Sequence, residues 1–170
     1  FCTGHGVLRE PQNIATYAAL ACIAIQSNQN DQHGGQSIVN FDYGMAPGVT
    51  KSYRRIYRRL MGEALELMGA PEMAGPLAKK MEEAELFPML EDQNGYLAKE
   101  REAFVALGGS EELIQKAQDF AAKRAWKETD KVTYQAMEAV IHNLNTMHSR
   151  AGAQTPFSSI NYGMDTSPEG

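Results

Sequence analysis

The sequence predicts an α/β protein that is mainly helical and has only a few short strands. Two observations lead to this class. Apolar residues recur at helical spacing over several long stretches. Strand-like residues are confined to short runs near glycines, at 37–41 and 155–162. With 170 residues, of which 43% are hydrophobic, the chain is long enough for one domain with a core of its own.

Charge, hydropathy and motif content argue against several kinds of function. The formal net charge of -5 gives no global surface for nucleic acid. The longest apolar stretch, 18–25, is far shorter than the roughly 18 residues of a membrane helix. Neither CxxC, HExxH nor a His/Cys cluster with ligand spacing occurs, so no metal site is predicted. Cys2 and Cys22 are expected to be reduced thiols, although their spacing leaves a disulfide open.

The first helix is predicted from Ile14 to about Asn30, with Asn13 as its N-cap. Residues 17–25 are apolar on nearly every face, so this part is expected to be buried all round. Residues 26–31 are polar. The helix therefore ends either at a hydrated functional site or simply in solvent.

A glycine-rich loop follows the helix. Its paired glycines permit positive φ and a close approach of backbone to a ligand. A short strand is predicted over 37–41, and Pro47 with Gly48 is expected to separate it from the next helix. The loop residues are His33, Gly34, Gly35 and Gln36.

The next helix is predicted over 50–68, and one of its faces is strongly basic. Five cations within nine residues repel one another unless they are solvated or paired with anions. Arginine forks suit phosphate oxygens, so this face is either a solvated surface or a phosphate-binding site. The cations are Lys51, Arg54, Arg55, Arg58 and Arg59.

The middle of the chain is predicted to be a solvated helical insertion without site chemistry. A linker at 69–76 precedes a short helix over 77–86, and the stretch 88–95 breaks that helix. A further helix over 96–107 ends at the pair Gly108 and Gly109. Ser110 then caps a helix that runs to about Trp126.

The last part of the chain is predicted to hold one more helix, a loop and a strand. The helix extends over 131–147, capped by Thr129 or Asp130. A loop of small residues at 148–154 leads to the strand over 155–162.

Two segments resemble the large subunit of anaerobic (class III, glycyl-radical) ribonucleotide reductases. They are QHGGQSI at 32–38 and NTMHSRAGAQTPFSSINYG at 145–163. The resemblance covers 1–60 and 128–170 well and is less specific in between. Shorter matches are TGHG at 3–6, REP at 9–11, FDY at 41–43 and AP at 46–47.

The resemblance implies an enzyme that reduces ribonucleoside triphosphates to deoxyribonucleotides under anaerobic conditions. It also implies a ten-stranded α/β barrel of the glycyl-radical and ribonucleotide reductase type. In the family, a glycyl radical, installed by an activating enzyme with S-adenosylmethionine and an iron–sulfur cluster, is passed to a cysteine that attacks the ribose. Formate or a thiol supplies the electrons, and a zinc site lies near the C-terminus.

The resemblance places none of these catalytic residues in this chain. The strand cysteine is expected before Phe1, and the radical cysteine, the glycyl radical and the zinc cysteines after Gly170. Cys2 and Cys22 receive no catalytic role. We therefore expect an internal piece of the reductase that is inactive alone, with no metal and no cofactor of its own.

The resemblance further implies an allosteric region at a homodimer interface, where a deoxynucleotide or ATP effector binds. Residues 12–31 and 50–68 resemble the interface helices. Arg55 occupies the position of a family lysine that contacts effector phosphate, and Arg54, Arg58 and Arg59 are its expected neighbours. Phe157 is either the aromatic beside the effector base or a core phenylalanine.

The segment 148–154 resembles the specificity loop that couples effector to substrate. Its expected contacts with the substrate come from Arg150 and Gln154, unless it is a plain surface loop. Arg9, Ile23 and Asn143 stand where some relatives have Glu or Gln, which leaves the effector preference open. The loop residues assigned to the site are His148, Ser149, Arg150, Gly152 and Gln154.

The predicted organisation is one partial domain with three parts. Residues 1–68 hold the buried helix, the glycine-rich loop and the basic interface helix, 69–127 the insertion, and 128–170 the last interface helix, the specificity loop and a barrel strand. The expected partners are the triphosphate substrate, effectors, a second copy and the activating enzyme, in the cytoplasm and without DNA or membrane. A stand-alone nucleotide-binding regulatory module and a helical interaction domain without catalysis are the alternatives.

Overall fold

A computed structural model describes residues 9–31, 34–146 and 157–170. The predicted class is confirmed, because these described residues are mainly helical and include two short parallel strands. The ten-stranded barrel stays a prediction. The elements are α1 (Ile14–Asp31), β1 (Gln36–Ile38), α2 (Phe41–Leu67), α3 (Pro71–Glu83), a 3₁₀ turn (Leu90–Asp92), α4 (Tyr96–Ala106), α5 (Glu111–Thr146) and β2 (Ser158–Ile160).

Residue contacts divide the chain into two compact units. Unit 1 comprises 1–49, 133–168 and 170, and unit 2 comprises 50–132 and 169. The organisation into one partial domain with an insertion stays a prediction. Within the described ranges, no helix combines the length and the apolar content that crossing a membrane requires.

Helix α1 begins as the sequence predicts. The Asn13 side-chain oxygen accepts hydrogen bonds from the Thr16 amide at 2.9 Å and the Thr16 hydroxyl at 2.8 Å, which confirms the N-cap. The prediction that residues 17–25 of α1 are buried on every face is wrong, because Ile23 is 44% exposed. Only one face packs, and it carries Ile14, Ala18, Ala21, Cys22 and Ile25.

Helix α2 begins at Phe41, well before the predicted start at residue 50. The strand predicted over 37–41 ends at Ile38, because Asn40 adopts a positive φ of 54° and turns the chain into the helix. Pro47 lies inside the helix and removes only one donor from it. The expected interruption at Pro47 and Gly48 is therefore wrong.

Gly48 allows close packing of two helices and does not end a helix. A Cβ atom at this position would lie 2.8 Å from Cδ2 of Tyr17 and 3.1 Å from Cα of Ile14. The missing side chain therefore lets α1 and the first part of α2 approach each other closely within unit 1.

The two strands form a parallel pair in which Ser37 lies opposite Ser159. A hydrogen bond of 3.1 Å joins the two serine hydroxyls, and the Asn161 amide donates to the Ile38 carbonyl at 3.0 Å. The predicted strand over 155–162 is thus shorter, at Ser158–Ile160. Residues 155 and 156 lie outside the described part of the chain.

Unit 2 contains the helices of the middle segment, and their starts differ from the predictions. Helix α3 begins at Pro71 inside the expected linker, because proline at the first helical position has a φ suited to a helix. It ends at Glu83, three residues before the predicted end. The C-cap predicted after α4 is confirmed: Gly108 has a φ of 90°, and the Gly109 amide donates to the Phe104 carbonyl at 3.1 Å.

Helix α5 is a single helix of 36 residues, whereas two helices were predicted with a boundary near 127–130. Residues 111–146 contain neither glycine nor proline, so nothing in the backbone requires an end there. Thr129, the expected cap, is only 2% exposed and lies in the packed interior. The deeply buried side chains of unit 2 include Tyr57, Leu60, Leu65, Leu77, Phe104 and Ile114.

Replacing Gly48 with alanine is expected to lower the free energy of unfolding by about 1–3 kcal/mol, because the new methyl group overlaps the Tyr17 ring. The matched control is Gly62→Ala in the same helix, where a Cβ meets nothing within 4 Å. This control is expected to be neutral or to stabilise by about 0.5–1 kcal/mol. Urea unfolding of both variants measures the difference, and equal effects would contradict the close helix contact.

Candidate functional site

The predicted site residues fall into separate groups in the structure. The four arginines lie on α2 within unit 2, and Gly34, Gly35, Gln36 and Phe157 lie in unit 1. His33 and the predicted specificity loop with His148, Ser149, Arg150, Gly152 and Gln154 lie outside the described residues. Each group is therefore considered by itself.

Two arginines of the basic face pack on one aromatic ring. The guanidinium carbon of Arg54 lies 4.8 Å from the centroid of the Phe87 ring, and that of Arg58 lies 5.6 Å from it. Both distances are within the range of a cation–π attraction. Arg58 also pairs with Glu82 at 2.5 Å. The ring thus holds two adjacent cations in place on one side of α2.

The other two arginines differ in their partners. Arg59 pairs with Glu63 at 2.6 Å and also with Glu128, so its charge is balanced by two carboxylates. Arg55 is exposed, and in the described ranges it has no ion pair. Burial and the neighbouring Arg58 lower the pKa of Arg54, while Glu169 acts in the opposite direction. Arg55 is therefore the cation of this face that is most available to an external anion.

In unit 1 the structure brings the glycine-rich loop and Phe157 together. The Gln36 amide donates to the Phe157 carbonyl at 2.8 Å. A Cβ atom on Gly35 would lie 3.1 Å from Cδ1 of Phe157, so glycine allows the ring to sit against the loop. Gly34 has a φ of 109°, as a turn with paired glycines requires. Phe157 is 83% exposed, which does not fit a core phenylalanine.

The polar end of α1 contacts this loop. The Gln36 side chain is buried, its amide nitrogen donates to the Gly34 carbonyl at 3.3 Å, and its oxygen accepts from the Asn28 side chain. The sequence identified the polar helix end, to which Asn28 belongs, but did not predict its contact with Gln36. These contacts hold the glycine-rich loop in its conformation.

Asp42 is a second residue of unit 1 that sequence reasoning missed. Its Oδ2 atom accepts hydrogen bonds from the amides of Gly163, Met164 and Asp165 at 2.6, 2.8 and 3.0 Å. These amides, Asp165 foremost, and that of Tyr43 lower the pKa of the carboxyl to about 2. The ionised carboxylate thus holds the segment after β2 against the start of α2.

Unit 2 contains a buried polar cluster around Glu100, which is only 2% exposed. Its carboxylate accepts hydrogen bonds from Tyr57 at 2.7 Å, Tyr96 at 2.8 Å and Gln118 at 2.8 Å. Burial raises the pKa of Glu100, and the three donors act against that shift. The predicted middle segment is therefore not solvated throughout, and the absence of site chemistry in it stays a prediction. The only sequence signal was the spacing of Tyr96 and Glu100, which are four residues apart on one helix.

Cys22 and the acidic residues offer no metal site in the part of the chain that the structure describes. No group of three or more His, Cys, Asp or Glu residues there has the arrangement needed to hold a metal ion. Cys22 is buried, and this burial raises the pKa of its thiol. A neutral buried thiol fits the predicted packing role.

Comparison with protein families assigns this mainly helical α/β chain to a class of nucleotide-reducing enzymes. A sequence model of the family described as anaerobic ribonucleoside-triphosphate reductase matches residues 1–170. The chain therefore belongs to the anaerobic ribonucleoside-triphosphate reductase family, and the resemblance seen in its motifs is confirmed. The match includes the middle third, where the motifs were less specific. A search among curated proteins finds no match.

Replacing Glu100 with glutamine is expected to remove a pH dependence of stability. Because the folded pKa lies above the ordinary 4.5, the folded state binds more protons, and wild-type stability falls as pH rises from 4.5 through the folded pKa. Urea unfolding across this window is expected to show the decline in the wild type and not in Glu100→Gln. The exposed Glu102→Gln on the same helix is the control and keeps the wild-type decline. Parallel profiles for wild type and Glu100→Gln would contradict the buried carboxylate.

Replacing Asp42 with asparagine is expected to destabilise the chain at neutral pH, because the ionised carboxylate accepts three amide hydrogen bonds. The folded pKa is lowered from 3.8 to about 2, so this stabilisation is present above 3.8 and is lost as pH falls toward 2. The stability difference between wild type and Asp42→Asn, measured by urea unfolding, is expected to shrink over this range. A difference that does not change with pH would rule out the ionised anchor.

Proposed function

We propose that this chain supplies the effector-binding and dimer-interface region of an anaerobic ribonucleoside-triphosphate reductase. The family reduces ribonucleoside triphosphates, and we assign this reaction to the enzyme to which the chain belongs. The observation that carries the finer assignment is the basic face of α2, where Arg55 is exposed beside the Phe87-packed Arg54.

The charges of this face suit a triphosphate. Guanidinium groups form charge-assisted, often bidentate hydrogen bonds with phosphate oxygens. Arg58 and Arg59 are already balanced by carboxylates, so an incoming phosphate has to compete with Glu82, Glu63 and Glu128 for them. Arg55 needs no such exchange. We therefore assign the principal phosphate contact to Arg55, with support from Arg54 and weaker contributions from Arg58 and Arg59.

In unit 1, Phe157 offers an exposed aromatic ring to a nucleotide base. Stacking of a base on an aromatic side chain stabilises binding by about 1–3 kcal/mol. The ring is positioned by Gly35 and by the hydrogen bond between the Gln36 amide and the Phe157 carbonyl. The segment with His148, Ser149, Arg150, Gly152 and Gln154 is proposed as the loop that transmits effector identity to substrate choice. Coupling of this kind has a typical size of about 1–3 kcal/mol.

The radical chemistry is assigned to residues other than the cysteines present here. Cys22 is a buried, neutral thiol and cannot reach a ribose. We propose that the complete enzyme uses a glycyl radical, an activating enzyme with S-adenosylmethionine and a zinc site, and that it acts as a cytoplasmic homodimer. The chain's own contribution is then allosteric and structural.

A second candidate is a helical interaction domain whose arginines serve only ion pairs. The carboxylate partners of Arg58 and Arg59 favour it, because these pairs neutralise two of the five cations of the predicted basic face without any ligand. A stand-alone nucleotide-binding regulatory module would use the same arginines as the reductase assignment.

Nucleotide binding to the basic face is tested by thermal unfolding of the chain with each of the four deoxynucleoside triphosphates and with ATP. At a hundredfold excess over Kd, a bound effector is expected to raise Tm by about 5–10 °C. Arg55→Ala is expected to abolish most of this rise, whereas Arg59→Ala is expected to reduce it less because Arg59 is already paired.

The control variant is Lys116→Ala, which removes an exposed cation on α5 that pairs with Glu112 and lies outside the basic face. It is expected to keep the full nucleotide-induced rise. If none of the nucleotides raises Tm, or if Arg55→Ala and Lys116→Ala respond alike, the face is a solvated surface and the interaction domain becomes the better assignment.

A further inference from the structure

Arg54 is the arginine of the basic face that has a buried donor without an acceptor. Its guanidinium lies on the Phe87 ring at 4.8 Å, and no carboxylate of the described residues forms an ion pair with it. Its Nε atom is buried and has no hydrogen-bond partner in the same part of the chain. Buried polar groups almost always have a partner, so this donor requires an explanation.

Glu169 contains the matching acceptor. Its Oε1 atom is buried and, within the described ranges, accepts no hydrogen bond. Its Oε2 atom accepts from the Gln93 side chain at 3.4 Å, and the same side chain donates to the Leu90 carbonyl at 3.2 Å. Glu169 belongs to unit 2, as Arg54 does, although the residues on either side of it belong to unit 1.

The two groups carry opposite charges and act on each other. Among the buried unsatisfied side-chain atoms of the described residues, those of Arg54 and Glu169 are the charged ones. Burial and the neighbouring Arg58 lower the pKa of Arg54, whereas the Glu169 charge favours its ionised form. A buried donor and a buried acceptor that both lack partners are costly, so the attraction favours a direct pair between them.

We propose that Glu169 is the internal counter-anion of the effector site, which neutralises Arg54 until effector phosphate takes its place. This inference rests on the proposed function, because it requires phosphate to bind at the basic face. The carboxylate and a phosphate oxygen compete for one guanidinium, so Glu169 lowers the affinity of the face for phosphate. By linkage, bound phosphate weakens the attraction between Arg54 and Glu169 by the same factor.

Inorganic tripolyphosphate isolates this competition, because it has neither base nor sugar. Its Kd is measured by isothermal titration calorimetry with the full 170-residue chain. Glu169→Gln keeps an oxygen that can accept from Gln93 but loses the charge, and it is expected to bind tripolyphosphate about fivefold more tightly than wild type. The matched control Glu66→Gln removes the same charge from an exposed position of α2 and is expected to stay within about twofold of wild type.

A double variant locates the effect at Arg54. Arg54→Gln is expected to bind tripolyphosphate more weakly than wild type. Adding Glu169→Gln to it is expected to change Kd by less than about twofold, because the cation that Glu169 neutralises is gone. A general effect of surface charge would instead give the same gain with and without Arg54.

The inference is overturned if Glu169→Gln binds tripolyphosphate no more tightly than wild type, if Glu66→Gln gives the same gain, or if the gain persists in the Arg54→Gln background. Circular dichroism checks that each variant is folded. Should Glu169→Gln not fold, Glu169→Ala gives the same decision.

The proposed function fails in a different way. If a nucleotide raises Tm through Arg55 while Glu169→Gln leaves Kd unchanged, the effector assignment stands and only the counter-anion role is overturned. If neither tripolyphosphate nor any nucleotide binds to wild type or to Glu169→Gln, both are overturned.

Discussion

The Glu100 carboxylate accepts hydrogen bonds from Tyr57 on α2, Tyr96 on α4 and Gln118 on α5, and so joins three helices through one buried group. A buried carboxylate is tolerated only when its oxygens are satisfied, which constrains the rotation of each helix about its axis. With Tyr57 directed inward, helical geometry places Arg55 and Arg59 on the outer side of α2. The position of the basic face is thus a consequence of this helix orientation.

Unit 1 depends on close backbone packing. Gly48 lets α1 approach α2, Gly35 lets the Phe157 ring lie on the loop, and Asp42 binds the segment that follows β2. None of these contacts is local in sequence. The residues joined by Asp42, for example, are more than a hundred positions away from it along the chain. A short parallel strand pair needs such support, since parallel strands are joined only by long connections.

The sequence predicted the features that depend on interactions between residues close together in the chain. The Asn13 cap, the glycine C-cap after α4 and the basic face of α2 follow from side-chain chemistry and helical periodicity, and each is present. The start of α2 and the continuity of α5 were missed, because Pro47 and Thr129 have local preferences that the packed helices override. The Glu100 cluster and the Gly35–Phe157 contact were not predictable, since tertiary partners leave no periodic pattern in one sequence.

The central proposal is that the guanidinium of Arg55, which has no ion pair among the described residues, receives effector phosphate in a member of the anaerobic ribonucleoside-triphosphate reductase family. Arginine modification by phenylglyoxal, followed residue by residue with mass spectrometry, tests it most directly. Without nucleotide, Arg55 is expected to react faster than Arg58 and Arg59, which are held by carboxylates. With a saturating nucleoside triphosphate effector, the modification of Arg55 is expected to slow about tenfold or more, as expected for a charge-assisted contact. An Arg55 rate that is the same with and without every nucleotide would contradict the account.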